Sequence, residues 1–287
     1  VGNEKNFFLK MRQISCELFS STLKSLLVET QYFLSEDVLE NLKELYVKET
    51  NPVSRDVLNN ILQNAKISSA TKLPLCQDTG IPQIFLEIGT QVQLDFDLLQ
   101  TVENVVTTVY NNEKLRKSCV ADPLVRNTNV YGYSLYSEIV DGENLKISVL
   151  IRGGGSENMS ILNTLLPSTS EEKIRDFIVE NVIRMLPYTC PPVIVGVGIG
   201  GTVDQSMVLA KKSLFRKIGS RNKIKFYAIL EEIVKNNINL SKIGALGLGG
   251  NVSVLDVFIE VLPTHIATLP ISIVLQCHSV RRATKVI

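Results

Sequence analysis

Residues 193–215 constrain the fold more than any other stretch of the chain. Val193, Ile194, Val195 and Val197 make a short β-branched run, glycines crowd positions 196–201, and an apolar-periodic segment fills 203–215. An unalternated apolar run predicts a strand buried on both faces, and a helix entered through a glycine-rich turn predicts a layered arrangement around it. The rest of the chain agrees with a mixture of helices and strands. Val38, Leu39, Leu42, Leu45 and Tyr46 share one face of a helix expected over 35–48, and Pro52 opens a second that runs to about residue 65. Asp95 or Asp97 can cap a third, through Leu98, Leu99, Val102, Val105, Val106 and Val109 to about Arg116, which puts Arg116 at a helix terminus.

Strands are expected at 84–88, 133–140 and 145–151, and Asp141-Gly142 predicts a hairpin between the last two. A helix over about 170–186 is opened by a capping-box pattern, Ser168 with Glu171 or Thr169 with Glu172. Short strands are expected around Ala245, over 252–260 and over 271–276. The fold class is α/β, with mixed sheets and flanking helices. One domain over 1–287 is expected, with room for two lobes; its N-terminal segment, about 1–72, is helical, and an α/β region fills about 73–287.

Composition excludes several functions. With Lys plus Arg at 30 against Asp plus Glu at 29, the net charge of +1 gives no basic surface for nucleic acid or an anionic membrane. No apolar run is long enough to span a bilayer, and Glu4, Lys5, Phe7, Phe8 and Lys10 do not form a signal-peptide layout. The expectation is a soluble, cytoplasmic protein.

The five cysteines, at 16, 76, 119, 190 and 277, are odd in number and far apart, which argues against a disulfide framework. Three share a setting. Cys76 follows Pro74 in a loop over 73–82 that Pro74, Gly80 and Pro82 keep irregular, Cys190 precedes Pro191-Pro192, and Cys277 ends an apolar strand. Rigid loops at strand ends can hold metal ligands. Cys16 lies in a helical pattern and Cys119 in a polar turn, where a plain thiol is the simpler reading. The separations match neither zinc ribbons nor the tight ferredoxin run, so spacing alone identifies no metal.

Around those cysteines the residues resemble the class I, oxygen-sensitive iron-sulfur fumarate hydratases and the related tartrate dehydratases. The resemblance rests on Cys76-Gln77-Asp78-Thr79-Gly80, on Gly153-Gly154-Gly155-Ser156-Glu157-Asn158 and on Cys190-Pro191-Pro192 leading to Gly200-Gly201-Thr202. Gly247-Leu248-Gly249-Gly250, Pro263-Thr264-His265 and Gln276-Cys277 continue it in the family's order. It implies a [4Fe-4S] cluster on Cys76, Cys190 and Cys277, with one iron lacking a protein ligand and free to act as a Lewis acid. It also implies Asp78 as the catalytic group, and Gln77, Arg116, Gly155 and His265 as contacts to a small dicarboxylic acid. A guanidinium fork and exposed backbone N–H groups both suit carboxylates.

Single-chain members of that family carry further arginines, a lysine and a threonine in a second domain, whose motifs this sequence lacks. The resemblance is therefore to an α subunit, active with a β subunit and expected in a dimer of αβ pairs. Residues 125–132 depart from the family, being shorter and without proline, so one wall of the pocket is expected to differ. Ser156 stands where tartrate enzymes tend to have cysteine, which favours fumarate over tartrate.

Taken alone, Arg116 reads as a solvated charge, His265 as a buried imidazole, Gly153–155 as a hairpin exit, and Arg281 and Arg282 as exposed tail charges. Gly196, Gly198 and Gly201 satisfy G-x-G-x-x-G, but an acidic residue about 20 positions on is missing, which counts against a dinucleotide site. Asp78-Thr79-Gly80 as an aspartic-protease loop would need a second copy. A noncatalytic cluster subunit is a third rival.

Overall fold

The structure, a computed structural model, describes residues 11–287, so the expectations drawn from Glu4, Lys5, Phe7, Phe8 and Lys10 lie outside the described residues. In chain order the elements are β1 (Arg12–Ile14), α1 (Cys16–Tyr32), α2 (Glu36–Lys48), α3 (Pro52–Thr71), β2 (Ile81–Gly89), β3 (Val92–Leu94) and α4 (Leu98–Asn112). There follow β4 (Cys119–Val120), β5 (Asn129–Val130), β6 (Ser134–Val140), β7 (Leu145–Arg152), α5 (Gly154–Asn158), β8 (Ser160–Leu165) and α6 (Glu171–Met185). The last elements are β9 (Val193–Gly200), α7 (Val203–Ser213), α8 (Lys225–Asn239), β10 (Val254–Leu262), β11 (Leu269–Gln276) and β12 (Arg281–Val286). This is the mixed α/β class that the sequence implies. Among the described residues, no helix is long and apolar enough to cross a membrane.

The chain divides into two compact units, each assembled from separated segments. The first combines residues up to Gln31 with Asp78–Ile151 and Arg282–Ile287. Its main sheet has the order β12-β7-β2-β6. Ile84, Phe85 and Leu86 are buried at successive positions, so both faces of β2 are covered and it takes a central place. That overturns the expected hairpin: β2 lies between β6 and β7, and β6 pairs with it in parallel, Gln83 opposite Ser134. The Asp141-Gly142 turn instead accepts backbone bonds from the β2–β3 turn, including Gln91 N–H to Gly142 O at 2.9 Å.

Asp97 caps α4 by accepting from the Gln100 N–H, and Val102, Val106 and Val109 form its buried face. The helix stops at Asn112, not near Arg116, because Lys114 turns left-handed (φ 54°) and the Leu115 N–H bonds back to Tyr110 O at 2.8 Å. Arg116 therefore lies past the helix end. β12 was not expected at all. By joining the sheet edge it takes Arg281 and Arg282 out of solvent, leaving them 1% and 7% exposed, which corrects their reading as tail charges.

The second unit, Tyr32–Gln77 with Arg152–Arg281, is built on a sheet of order β10-β9-β11-β8. β9 is buried at every position and pairs in parallel with β10 and antiparallel with β11. Here Gly196, Gly198 and Gly200 belong to the strand, and only Gly201 lies in the turn after it. A Cβ on Gly196 would stand 2.3 Å from Ala210 O, and one on Gly198 would stand 2.1 Å from Ser206 O, so both let α7 lie directly on the sheet. That explains the first two glycines of the G-x-G-x-x-G pattern without a nucleotide, and a positive φ of 69° explains Gly201.

Three local expectations also change in this unit. Helix α3 continues to Thr71, beyond residue 65, and ends on Lys72 in a left-handed cap. Ser170, accepting from the Lys173 N–H, caps α6 in place of Ser168 or Thr169. The strand expected at Ala245 is a 3-10 turn, Ala245–Gly247. Helix α8, unforeseen, packs Leu230, Val234 and Ile238 into the core beneath the sheet.

Candidate functional site

The second unit contains all three cysteines singled out from the sequence. Cys76 lies in the bend after α3, its thiol 3.6 Å from Gln77 Oε1. Cys190 is exposed, one residue past the 3-10 turn Leu186–Tyr188 and before the cis Pro191–Pro192 peptide. Its carbonyl accepts from the His278 N–H at 3.2 Å and lies 3.0 Å from His278 Nδ1, so the ring places its proton there. Cys277 follows β11 and its N–H donates to Ser156 Oγ at 3.4 Å.

All five cysteines are free thiols. Although the residue as a whole is exposed, partial desolvation of its sulfur pushes the Cys190 thiol up, and Cys277 and Cys76 push it further. Burial also raises Cys277, opposed chiefly by the Arg281 guanidinium. Among the described residues no three His, Cys, Asp or Glu side chains are drawn into the tight set that one metal ion takes. A multi-iron cluster needs no such set, because each thiolate binds a different iron. The donor chemistry of Cys76, Cys190 and Cys277 fits such a group.

The glycine motif is held by charge. Arg152, 1% exposed, donates from Nε to Glu157 at 2.6 Å and from a terminal nitrogen to Ser156 O at 2.6 Å, while Lys211 reaches Glu157 at 2.8 Å. Burial would raise the Glu157 carboxyl, but Arg152 and Lys211 together hold it below its usual range. Glu157 thus anchors α5, and Gly155 beside it has nothing within 4 Å of where a side chain would begin. His265 is exposed in the turn between β10 and β11; its Nδ1 accepts from the Ala267 N–H at 3.1 Å, which leaves the proton on Nε2 as a donor.

Asp78 and Arg116 belong to the first unit. Asp78 Oδ1 accepts from the Gly80 N–H at 3.0 Å, and Gly80 turns at φ 70°. Thr79 Oγ1 accepts from the Arg116 N–H at 3.0 Å, Thr79 O accepts from Gln31 Nε2 at 3.0 Å, and Gly80 O accepts from the Tyr110 hydroxyl at 3.1 Å. Cys119 lies in β4, not in a polar turn, with its sulfur packed against Gly132, and Cys16 opens α1. Of these groups, sequence reading missed Arg152, Lys211 and Arg281 as buried cations. Lys211 reaches Glu157 from a distant segment, whereas Arg152 finds it five residues on, and Glu157, inside a motif, offered the one hint.

The sequence model described as Fumarate hydratase (Fumerase) matches residues 20–286, which makes this chain a hydro-lyase. The chain belongs to the fumarate hydratase family. A protein of Methanocaldococcus jannaschii, named provisionally as an L(+)-tartrate dehydratase subunit alpha, is 41% identical over 286 residues, covering 96% of this chain and 97% of that one. The L(+)-tartrate dehydratase subunit alpha proteins of Escherichia coli and Shigella sonnei are each 30% identical over 256 residues, 88% of this chain and 84% of theirs.

Proposed function

We propose that this chain is the α subunit of an iron-sulfur hydro-lyase that interconverts fumarate and malate, with a [4Fe-4S] cluster on Cys76, Cys190 and Cys277. The observation that carries the reading is the set of three free thiols in one unit, each on a loop at the end of a helix or strand. When bound, the cluster supplies a Lewis acid for the substrate hydroxyl. The chain's own residues do the rest. Asp78 moves the proton on the neighbouring carbon, Arg116 and Gln77 bind carboxylate oxygens, and the Gly155 N–H and the His265 Nε2–H add hydrogen bonds.

A second substrate reading, dehydration of L(+)-tartrate, is favoured by the names of the relatives. Ser156 favours fumarate less directly than its position suggests, because its hydroxyl is turned to Cys277. The names of the relatives also support a β subunit as partner, and we expect αβ pairs in the cytoplasm. The test is to coexpress both subunits, purify them without oxygen, and assay fumarate, malate, L(+)-tartrate and mesaconate. Turnover of none of the four would sink the proposal, and turnover of tartrate alone would select the second reading.

A further inference from the structure

We propose that α3 is the strut that holds the Cys76 and Cys190 loops, with Asn64 and Ser68 as positioning residues at one end and Ser54 at the other. The proposal rests on the reading of Cys76 and Cys190 as cluster ligands. It comes from hydrogen bonds on one helix that reach two loops far apart in sequence, all within the second unit.

At the C-terminal end, Ser68 Oγ donates to Leu73 O at 2.6 Å, with Tyr32 O more distant at 3.1 Å. Asn64 Nδ2 donates to Leu75 O at 2.9 Å. Two carbonyls of the loop leading into Cys76 are thus tied to successive turns of α3. Ser68 is 2% exposed, so its bond is shielded from water.

At the N-terminal end Asn51 caps the helix through the Ser54 N–H, at 3.1 Å, and Ser54 Oγ accepts from the Ala245 N–H at 3.2 Å. A Cβ on Gly250 would stand 2.4 Å from Ser54 Oγ, so the 244–250 loop lies directly on the helix. Glu49, just before α3, accepts from the Asn251 N–H at 2.9 Å and fixes the loop's far side. From that loop the Leu246 N–H donates to Pro191 O at 2.9 Å, next to Cys190. Ala245 and Leu246, just before the Gly-Leu-Gly-Gly motif, therefore relay α3 to the second cysteine. An α-helix between positions 54 and 68 is a rigid rod of about 21 Å. It gives the two loops one rigid base, from which each returns toward the other two cysteines.

The test compares Asn64→Asp, Ser68→Ala and Ser54→Ala with Asn60→Asp, the same chemical change at another exposed position of α3. Asp at 64 keeps the shape, loses the donor, and sets a carboxylate oxygen against Leu75 O. Each chain is reconstituted with iron and sulfide without oxygen, and loss of its visible absorption to a chelator is timed. Each chain without iron is alkylated briefly, and Cys76, Cys190 and Cys277 are scored by mass spectrometry.

Asn64→Asp and Ser68→Ala should speed cluster loss about tenfold, as expected for one lost hydrogen bond, and raise labelling of Cys76 but not Cys277. Ser54→Ala should raise labelling of Cys190 instead. Asn60→Asp should match the parent chain in both measurements. If Asn64→Asp behaves as Asn60→Asp, or if it raises labelling of all three cysteines alike, the strut is overturned. Asn64 is exposed, so this arm is readable even where a variant at a buried serine fails to fold. A parent chain that takes up no iron overturns the ligand reading and the strut with it; one that holds iron while the variants are silent overturns the strut alone.

Discussion

Arg152 and Glu157 are joined at 2.6 Å, with the guanidinium fully buried and the carboxylate partly open to water. Lys211, also buried, shares the same carboxylate. One acid thus neutralises part of two buried cations and fixes the helix that carries Gly155. Replacing Glu157 by Gln should lower stability by about 1 to 2 kcal/mol, the lower part of the range for a buried donor losing its acceptor, since water screens a carboxylate that is 40% exposed. The pH dependence has a definite sign. A carboxyl held below its usual value adds stability at neutral pH, and loses it as pH falls from about 4.3 through its lowered folded value. Urea midpoints between pH 3 and pH 7 should show that loss in the parent chain and a smaller one in Glu157→Gln.

Thr79 and Arg116 give a second prediction. The Thr79 hydroxyl fastens the backbone of Arg116, not its guanidinium, so it sets where that side chain starts. Thr79→Val keeps the shape and removes the acceptor, which should cost about 0.5 to 1.5 kcal/mol of stability. In the assembled enzyme it should lower kcat/KM without changing iron content, and Thr79→Ser should restore it. Equal kcat/KM for the Val and Ser variants would separate Thr79 from substrate binding.

Gly198 tests the meaning of the glycine-rich pattern. A methyl group there meets the backbone of α7, at 2.1 Å from Ser206 O and 2.8 Å from Ala210 N, and neither atom can move without shifting the helix. Gly198→Ala should destabilise the chain by about 1 to 3 kcal/mol. Calorimetric titration with NAD should show no binding to the parent chain, because the glycines serve helix packing.

What the sequence made legible was local. The face of α2 is written in Val38 and Leu42, and the central place of β9 in an apolar run without alternation. The irregular settings of Cys76 and Cys190 are written in their prolines. What was not legible depended on distant pairing. Asp141-Gly142 is a good hairpin signal, yet β2 occupies the space between the strands it joins, because its buried residues need cover on both faces. Arg281 and Arg282 look like tail charges until β12 adds to the sheet. The glycines of β9 look like a turn until α7 is placed on them.

The five cysteines should separate into two groups. Cys190→Ser should lose the iron and the visible absorption of the reconstituted chain, because a serine hydroxyl is a poor replacement for a thiolate ligand. Cys16→Ser and Cys119→Ser should keep both, since Cys16 lies on the exposed start of α1 and Cys119 packs against Gly132 in the first unit. Iron retained in Cys190→Ser would remove that residue from the ligand set.

The last prediction concerns the partner. The proposed route for adding water to fumarate uses a Lewis acid, a group that moves a proton on the neighbouring carbon, and cations for the substrate's two carboxylates. The residues proposed here supply the first through the cluster and the second through Asp78, but bring one arginine, Arg116, to a doubly charged substrate. A second cationic group is then required from elsewhere. The relatives of this chain are named as alpha subunits, which points to a β subunit as the source. Purified without oxygen and loaded with iron and sulfide, the chain alone should show the cluster's absorption and no hydration of fumarate. Coexpression with its β subunit should bring activity without a change in iron per α chain. Hydration by the isolated chain at a rate near that of the pair would show that Arg116 and its neighbours suffice, and would overturn the division of labour between the subunits.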